Sequence, residues 1–386
     1  MSLAEHATRR NLFATFLTLV LVYWLFMSGS SHKVASNQPL APPKGAPSFK
    51  RTIVAVGDLH GDYENMMEVL KMSGAVAKNG TWSGNVDYLV QTGDIIDRGD
   101  EVIKMYRYIE GLRGQARAHG GDVRSHLGNH EVMNLIGDWR FVPPAEISTF
   151  GGIEARQKLL STGWIGAAWR ANYSVTTRLP LHPSLGAINI DYDETTAASL
   201  QDLSHAALSF CHGGLSPTYS KLTPYPSSIN DIGSRLVARL QDRKVQPKPH
   251  PPHPYAGLPK GTTAEEVELY EADGPLWYRG WAMDKEVVAC KAVDNLLKKI
   301  GVRRLIMGHT PHFSHILSRC DGKIILIDTG ISHAYGGILS AAKFTYTLWP
   351  SKTEGMWIAR DLVTAIYPDG EDVLVDDVRE IRANFL

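Results

Sequence analysis

The chain has 386 residues, 44% of them hydrophobic, and its 40 basic side chains balance 40 acidic ones. That length supports one large domain or two modest ones, and the charge balance excludes a global basic field of the kind that draws nucleic acid. Three cysteines, Cys211, Cys290 and Cys320, are too few and too far apart for a disulfide framework, and no C-x-x-C pair offers a zinc ribbon; one bridge is conceivable, with buried thiols the expected state.

Residues 1–11 read as a polar tail carrying Arg9 and Arg10. The run "LFATFLTLVLVYWLFM" (12–27) is apolar apart from two threonines. Extended through Gly29 it would make about 27 Å of helix, the thickness of a thin bilayer. A single-pass transmembrane signal anchor over 12–29 is expected. A cleaved signal peptide is the weaker reading, because bulky Trp24 and Phe26 stand just before the small residues of "SGSS". Arg9 and Arg10 against the more distant Lys33 and Lys44 lean toward a membrane protein with a lumenal body; the mitochondrial intermembrane space is the alternative. Residues 30–50, rich in Pro, Ala and Ser, read as a flexible tether.

From residue 51 the pattern changes. Short β-rich runs end in Gly, Asp or His: "TIVAVGD" (52–58), "DYLVQTGD" (87–94), "DVRSHLGNHE" (122–131), "ALSFCHGG" (207–214), "RRLIMGHT" (303–310) and "KIILIDTG" (323–330). Helical periodicity fills 63–76, 101–116 and 285–301. Strands alternating with helices predict an α/β layered domain over 51–349. Within it, 139–206 reads as a helical insertion or lid bearing Trp164 and Trp169, whose ordinary place is a core. Residues 243–263 read as a proline-rich exposed loop in which His250 and His253 are solvated rather than metal-bound. Residues 350–386 form a C-terminal β-hairpin extension turning on "PDG".

Ligands bind where strands of an open α/β sheet end, because the loops leaving there converge on one crevice. Those ends carry Asp58 and His60, then Asp94, Asp97 and Arg98, then Asn129 and His130, then His212, and last His309. Each sits beside a glycine. Carboxylate, amide oxygen and imidazole without thiolate suit Mn²⁺, Fe²⁺ or Zn²⁺ bound as a catalytic ion. The donors suffice for two divalent metal ions, the arrangement that clamps an in-line phosphoryl displacement. Asp94, ending a central strand, is the natural bridge. Glu131 is read as a structural hydrogen-bonding group.

The order "GDxHG … GDxxDRG … GNHE … HGG … GHT" resembles the metallophosphoesterases of the phosphoprotein phosphatase family. "GNHEVMNL" (128–135), "GPLWYRG" (274–280) and "MGHTP" (307–311) resemble its Shewanella-like branch more than the classical Ser/Thr enzymes. The resemblance covers roughly 51–349. It implies a layered, calcineurin-like β-sandwich flanked by helices. It implies one metal on Asp58, His60 and Asp94 and a second on Asp94, Asn129, His212 and His309, with attack on phosphorus by a metal-activated hydroxide. His130 would protonate the leaving oxygen with Asp97 orienting it, and Arg98, Arg279 and Asn129 would hold the phosphate. The expected activity is phosphoprotein hydrolysis. "IDTGIS" (327–332) stands where classical members carry a "SAPNYC"-like loop, which weakens a Ser/Thr expectation and makes phosphotyrosine plausible. Two other readings are a dinucleoside polyphosphate hydrolase, or other small-molecule phosphoesterase, on the same core, and a silent phosphoprotein-binding adaptor. The intact ligand set argues against the adaptor.

Overall fold

The computed structural model describes residues 41–46 and 48–383. The expected anchor over 12–29 lies outside them, and among the described residues no helix is long and apolar enough to cross a membrane.

Twelve strands and their helices follow in order. β1 (Phe49–Val56) leads through α1 (Tyr63–Met72) to β2 (Tyr88–Gln91), then α2 (Val102–Ala118), β3 (Asp122–His126) and α3 (Asn129–Ile136). Three short helices come next, α4 (Pro144–Thr149), α5 (Ile153–Ser161) and α6 (Trp164–Asn172), before β4 (Tyr173–Ser174) and β5 (Thr176–Pro180). β6 (Ala207–Cys211) and β7 (Arg304–Met307) flank the longest stretch without strands. β8 (Leu317–Arg319), β9 (Ile324–Leu326), β10 (Ala341–Pro350), β11 (Met356–Tyr367) and β12 (Gly370–Arg382) complete the chain.

These strands form two sheets. One has seven strands in the order β12-β11-β10-β1-β2-β3-β4; the other has five, β5-β6-β7-β9-β8. β1, β2, β3 and β4 run parallel, as do β6, β7 and β9, so their C-terminal ends share an edge within each sheet. Period-two alternation decides what each face buries. Ile53, Ala55 and Val90 pack with Phe210, Ile306 and Ile325 of the other sheet in one cluster. Val54, Val56 and Leu89 turn the opposite way and pack with α1 and α2 residues such as Met66 and Met105. Each such side chain contributes about 1.5–3 kcal/mol on burial.

All six predicted strand runs are strands, and the three helical stretches are helices. The fold is therefore the mixed α/β sandwich that the resemblance implied. Two segments differ from expectation. Residues 139–206 are not set apart from the sandwich: they carry β4 on the edge of one sheet and β5 on the edge of the other. The Trp-bearing part of that segment is two helices, α5 and α6, divided at Thr162-Gly163, where a Cβ on Gly163 would meet Leu159 Cα at 2.7 Å. Trp169 is buried edge-on to Tyr106, centroids 5.9 Å apart, which is core packing. The hairpin expected within 350–386 is β11 and β12, but it is no appendage: β11 pairs along β10, and Pro42 onward forms one compact unit. Its last strand, β12, is the rim of the larger sheet and is mostly exposed on its charged residues.

The cysteines divide between the two states the sequence left open. Cys290, on the helix Glu286–Ile300, is bridged to Cys320, in the turn between β8 and β9. Cys211 alone remains a free, buried thiol, which burial pushes up to about 12. Nothing in the spacing of 30 residues between the paired cysteines announces the contact. It is made by the helix returning over the five-stranded sheet.

Candidate metal centre and its acid–base pair

The loops leaving β1 and β2 carry Asp58, His60 and Asp94, the turn leaving β3 runs into α3, which opens on Asn129 and His130, and the loops leaving β6 and β7 carry His212 and His309. All seven are buried. Ligand atoms of Asp94, His212 and His309 lie within 4.8 Å of one another, as do those of His60, Asp94 and His130. Asp94 is common to both groups. Asp58 joins through His60 Nε2, 3.9 Å from its Oδ2, and through His212 Nδ1, 3.8 Å from its Oδ1. Asn129 Oδ1 stands 2.7 Å from His212 Nε2. The six side chains expected to hold metal thus converge in one place.

The backbone is strained there. His60, Asp94, Asp97, Arg98 and His309 all have φ between 43° and 72°. Non-glycine residues adopt such angles only where surrounding structure imposes them, and such strain collects at functional sites. Part of the constraint is visible. Glu131 accepts from the backbone N–H groups of Asp94 (3.0 Å), Ile95 (2.9 Å) and Gly128 (2.7 Å) and from the Tyr106 hydroxyl (3.0 Å). It ties two loops together, the structural role its sequence context suggested. Glycine allows those loops to touch, since a Cβ on Gly128 would stand 2.1 Å from Asp94 Oδ1.

The ring nitrogens are already assigned by their neighbours. Backbone carbonyls of Ile96, Thr92 and Trp277 take N–H from His60 Nδ1 (3.0 Å), His212 Nδ1 (2.9 Å) and His309 Nε2 (3.2 Å). The opposite nitrogen of each is left to offer its lone pair, the usual way a protein orients an imidazole toward a cation. Burial, then His130, pulls His60 down to about 4. Burial, then His212 and Arg279, holds His309 well below the usual imidazole range. Neutral rings can ligate.

His130 differs. Burial opposes its charge, but Asp94 and Asp97 outweigh that and carry it up to about 9. Its Nδ1 contacts Asp97 Oδ2 at 2.6 Å. Although proximity groups His130 with His60 and Asp94, a protonated ring is an acid rather than a ligand. Asp97 is itself held by Asn134 Nδ2 (2.8 Å) and the Arg156 guanidinium (3.4 Å) on Oδ1.

Arg98 and Arg279 are half-buried. The Arg98 guanidinium is sandwiched between the Phe141 and Tyr335 rings, 4.5 Å from each centroid. Arg279 donates to His309 O (2.8 Å) and Thr310 Oγ1 (3.0 Å). A groove of about 1020 Å³, lined in part by Tyr255, Tyr270, Trp277 and Tyr278, runs along the Arg279 side. His250 and His253 take no part: His250 Nδ1 is spent on His253 O at 2.8 Å.

A group missing from the sequence reading is Asp328. It ends β9 as Asp58 ends β1, and burial pushes it up to about 6. Burial, then Asp328 and Asp94, drives Asp58 well above the usual carboxylate range. Asp94 resists burial and stays well below it, held by His212 and His130. Three buried carboxylates repelling one another are what a bound cation would relieve. With nitrogen and oxygen donors only, the residues fit divalent metal ions. Asp328 was legible, since "IDTG" is a sixth strand end of the same kind. Arg156 gave no sequence signal.

A family model described as calcineurin-like phosphoesterase matches residues 51–313. The chain belongs to the calcineurin-like phosphoesterase family. Among relatives of this calcineurin-like chain, an uncharacterized protein of Schizosaccharomyces pombe is 35% identical over 295 residues, covering 75% of this chain and 76% of that protein. Shewanella-like protein phosphatase 1 of Plasmodium berghei is 30% identical over 286 residues (72% and 67%). Shewanella-like protein phosphatase 2 of Arabidopsis thaliana is 27% identical over 288 residues (72% and 71%). The Shewanella-like branch implied by "GNHEVMNL" and "GPLWYRG" is thus the one its relatives occupy. A solved cold-active protein tyrosine phosphatase shares the fold, with a TM-score of 0.57 at 23% identity over 85% of this chain and 80% of that one. The protein is a metal-dependent phosphoester hydrolase.

Proposed function

We propose that the protein is a phosphoprotein phosphatase with two divalent cations, held by Asp58, His60 and Asp94 on one side and Asp94, Asn129, His212 and His309 on the other. The observation that carries this reading is the convergence of those buried donors beside the His130–Asp97 pair. When bound, such ions lower the pKa of water and polarise a phosphoryl oxygen. The chain's own groups do the rest. Arg98 and Arg279 offer forked donors to the phosphate oxygens, with Asn129 beside them. Asp97 holds the imidazole by Nδ1, so His130 presents Nε2–H to the leaving oxygen as the P–O bond breaks.

The aromatic lining beside Arg279, and the rings enclosing Arg98, favour an aryl leaving side such as phosphotyrosine. Mn²⁺, Fe²⁺ and Zn²⁺ all suit the donor set. The test is metal analysis of the purified protein with a phosphopeptide panel run against diadenosine tetraphosphate at equal metal loading. Turnover of phosphotyrosine peptide above phosphoserine peptide and nucleotide is expected. Preferential nucleotide hydrolysis would replace this reading with the dinucleoside polyphosphate one, and inactivity toward every phosphate would favour an adaptor.

The Cys290–Cys320 bridge supports an oxidising compartment for the body. That agrees with a lumenal or intermembrane-space body tethered by residues 12–29. Thiol labelling of the protein in intact cells, with and without reductant, tests it: only reductant should expose both cysteines.

A further inference from the structure

Behind the acid–base pair lies a buried ionic chain that metal binding does not use. His130 Nδ1 meets Asp97 Oδ2 at 2.6 Å, and Asp97 Oδ1 accepts from Asn134 Nδ2 at 2.8 Å and from the Arg156 guanidinium at 3.4 Å. A second Arg156 nitrogen donates to Asn134 Oδ1. On its far side the guanidinium donates to Glu146 Oε1 at 2.6 and 3.3 Å. Asp97, Glu146 and Arg156 are 0% exposed. The Trp139 and Phe150 rings close over Arg156, 4.5 and 5.2 Å from its central carbon. Glu146 lies on α4 and Arg156 on α5, both inside the segment the sequence presented as a lid.

A buried ion chain is expensive in stability terms, and well-packed apolar residues of like volume are often as good or better. Its geometry here is not generic. One planar fork fixes both the carboxylate that orients the imidazole and the amide that bonds the same carboxylate. Without it, Asp97 loses one of its two Oδ1 donors, and Asn134 Oδ1 loses its donor, leaving the amide held only through Nδ2 on Asp97 and on the His130 carbonyl at 2.9 Å. The imidazole would keep a partner but not a fixed direction, and proton donation depends on direction. Glu146 Oε1 accepts from two nitrogens of the guanidinium and so fixes the plane of the fork.

We infer that Arg156, backed by Glu146, is a positioning residue for proton donation by the Asp97–His130 pair. This rests on reading His130 as the acid. A purely electrostatic role would be met by lysine, whereas a point charge cannot bridge Asp97 and Asn134 together.

The experiment exploits the leaving group. p-Nitrophenolate departs unprotonated, while phenolate and a serine alkoxide need the proton. kcat and KM are measured on p-nitrophenyl phosphate and phenyl phosphate for full-length protein carrying His130→Asn, Arg156→Met, Arg156→Lys or Glu146→Gln, at matched metal content. His130→Asn should lose about 100-fold or more on phenyl phosphate and far less on p-nitrophenyl phosphate. Arg156→Met should show the same selectivity at about 10- to 30-fold, in kcat with KM nearly unchanged. Arg156→Lys and Glu146→Gln should lie between it and wild type, and they carry the test if the methionine variant does not fold. Equal losses on both substrates in the Arg156 and Glu146 variants, or no loss on either, while His130→Asn stays selective, would overturn the inference alone. A non-selective His130→Asn would overturn the assignment of the acid and this inference with it.

Discussion

The two sheets contribute to the centre in different ways. The larger sheet supplies Asp58, His60, Asp94, Asp97, Arg98, Asn129 and His130 from three neighbouring loops within 73 positions of chain, and four of these residues have left-handed backbone. The smaller sheet supplies His212, His309 and Asp328, with only His309 strained, and His212 and His309 stand almost 100 residues apart. One rim is a dense block held under tension by Glu131 and close glycines. The other is a set of single side chains, one from each of three strand ends. Position on the rim, more than ligand chemistry, decides what each residue can be exchanged for.

The largest contrast should come from the ligands. Asp94→Asn alters the group shared by both clusters and should abolish turnover, by about 10³-fold or more, with loss of both bound ions. His309→Asn touches one cluster and should leave one ion; metal analysis alongside kinetics reads the difference. Equal metal loss in the two variants would erase the distinction between the rims.

Next come the glycines. Gly128→Ala would drive a Cβ to 2.1 Å from Asp94 Oδ1 and 2.6 Å from its backbone nitrogen. It should cost about 10²-fold in kcat, since misplacement by an ångström near reacting groups has that scale. Gly308→Ala, whose Cβ meets Asp58 Oδ1 at 2.4 Å and Thr92 Oγ1 at 2.8 Å, has no backbone atom among its nearest neighbours, so it displaces one ligand side chain rather than the loop carrying the shared Asp94. It should be milder. If the order were reversed, the tension would belong to the smaller sheet.

Between the sheets, His126 on β3 bonds Thr177 on β5 through Nε2 at 2.9 Å, while its Nδ1 is unpartnered. Burial, then His212 and Arg124, lowers it to about 3. A depressed folded-state value means stability fully present above about 6.5 and lost as pH falls from there toward 3. The loss should reach roughly 3–5 kcal/mol. Urea midpoints measured over that window should fall in the wild type and flatten in His126→Gln. Smallest is the bridge: Cys290→Ser opens a cross-link spanning 30 residues and should cost about 2–3 kcal/mol, seen as a lower melting temperature without change in kcat.

This asymmetry also explains what could be read from the chain. The larger rim is written in contiguous words, "GDLHGD", "GDIIDRGD" and "GNHE", because its three loops each need several polar groups and glycines at fixed offsets. His212 and His309 were found only because each closes a β-rich run with a glycine nearby. Arg279 came from the family resemblance, since no strand ends there. Asp328 was passed over although its run has the same form. Arg156 and Glu146 were invisible for a physical reason: a buried ion pair between two short helices has no sequence period, and both lie in a segment that read only as a helical insertion or lid. The Cys290–Cys320 bridge and the pairing of β11 along β10 depend on contacts between distant elements, which local pattern does not encode.

The rim strand β12 carries one more consequence. A terminal strand 13 residues long presents a row of unpaired amides, the kind of border on which a second chain can grow a sheet. Here that border bears Glu371, Asp372, Asp376, Asp377, Arg379, Glu380 and Arg382. Arg360 neutralises Asp376 across the ladder at 2.7 and 2.9 Å, and Arg379 reaches Asp377 at 3.0 Å. Lys343 holds Glu371 at 3.1 Å, which leaves Asp372 and Glu380 to face their own kind if two copies met border to border. The molecule thus guards its longest open seam with charge, so it should stay dispersed at neutral pH and begin to stack when those carboxylates are protonated.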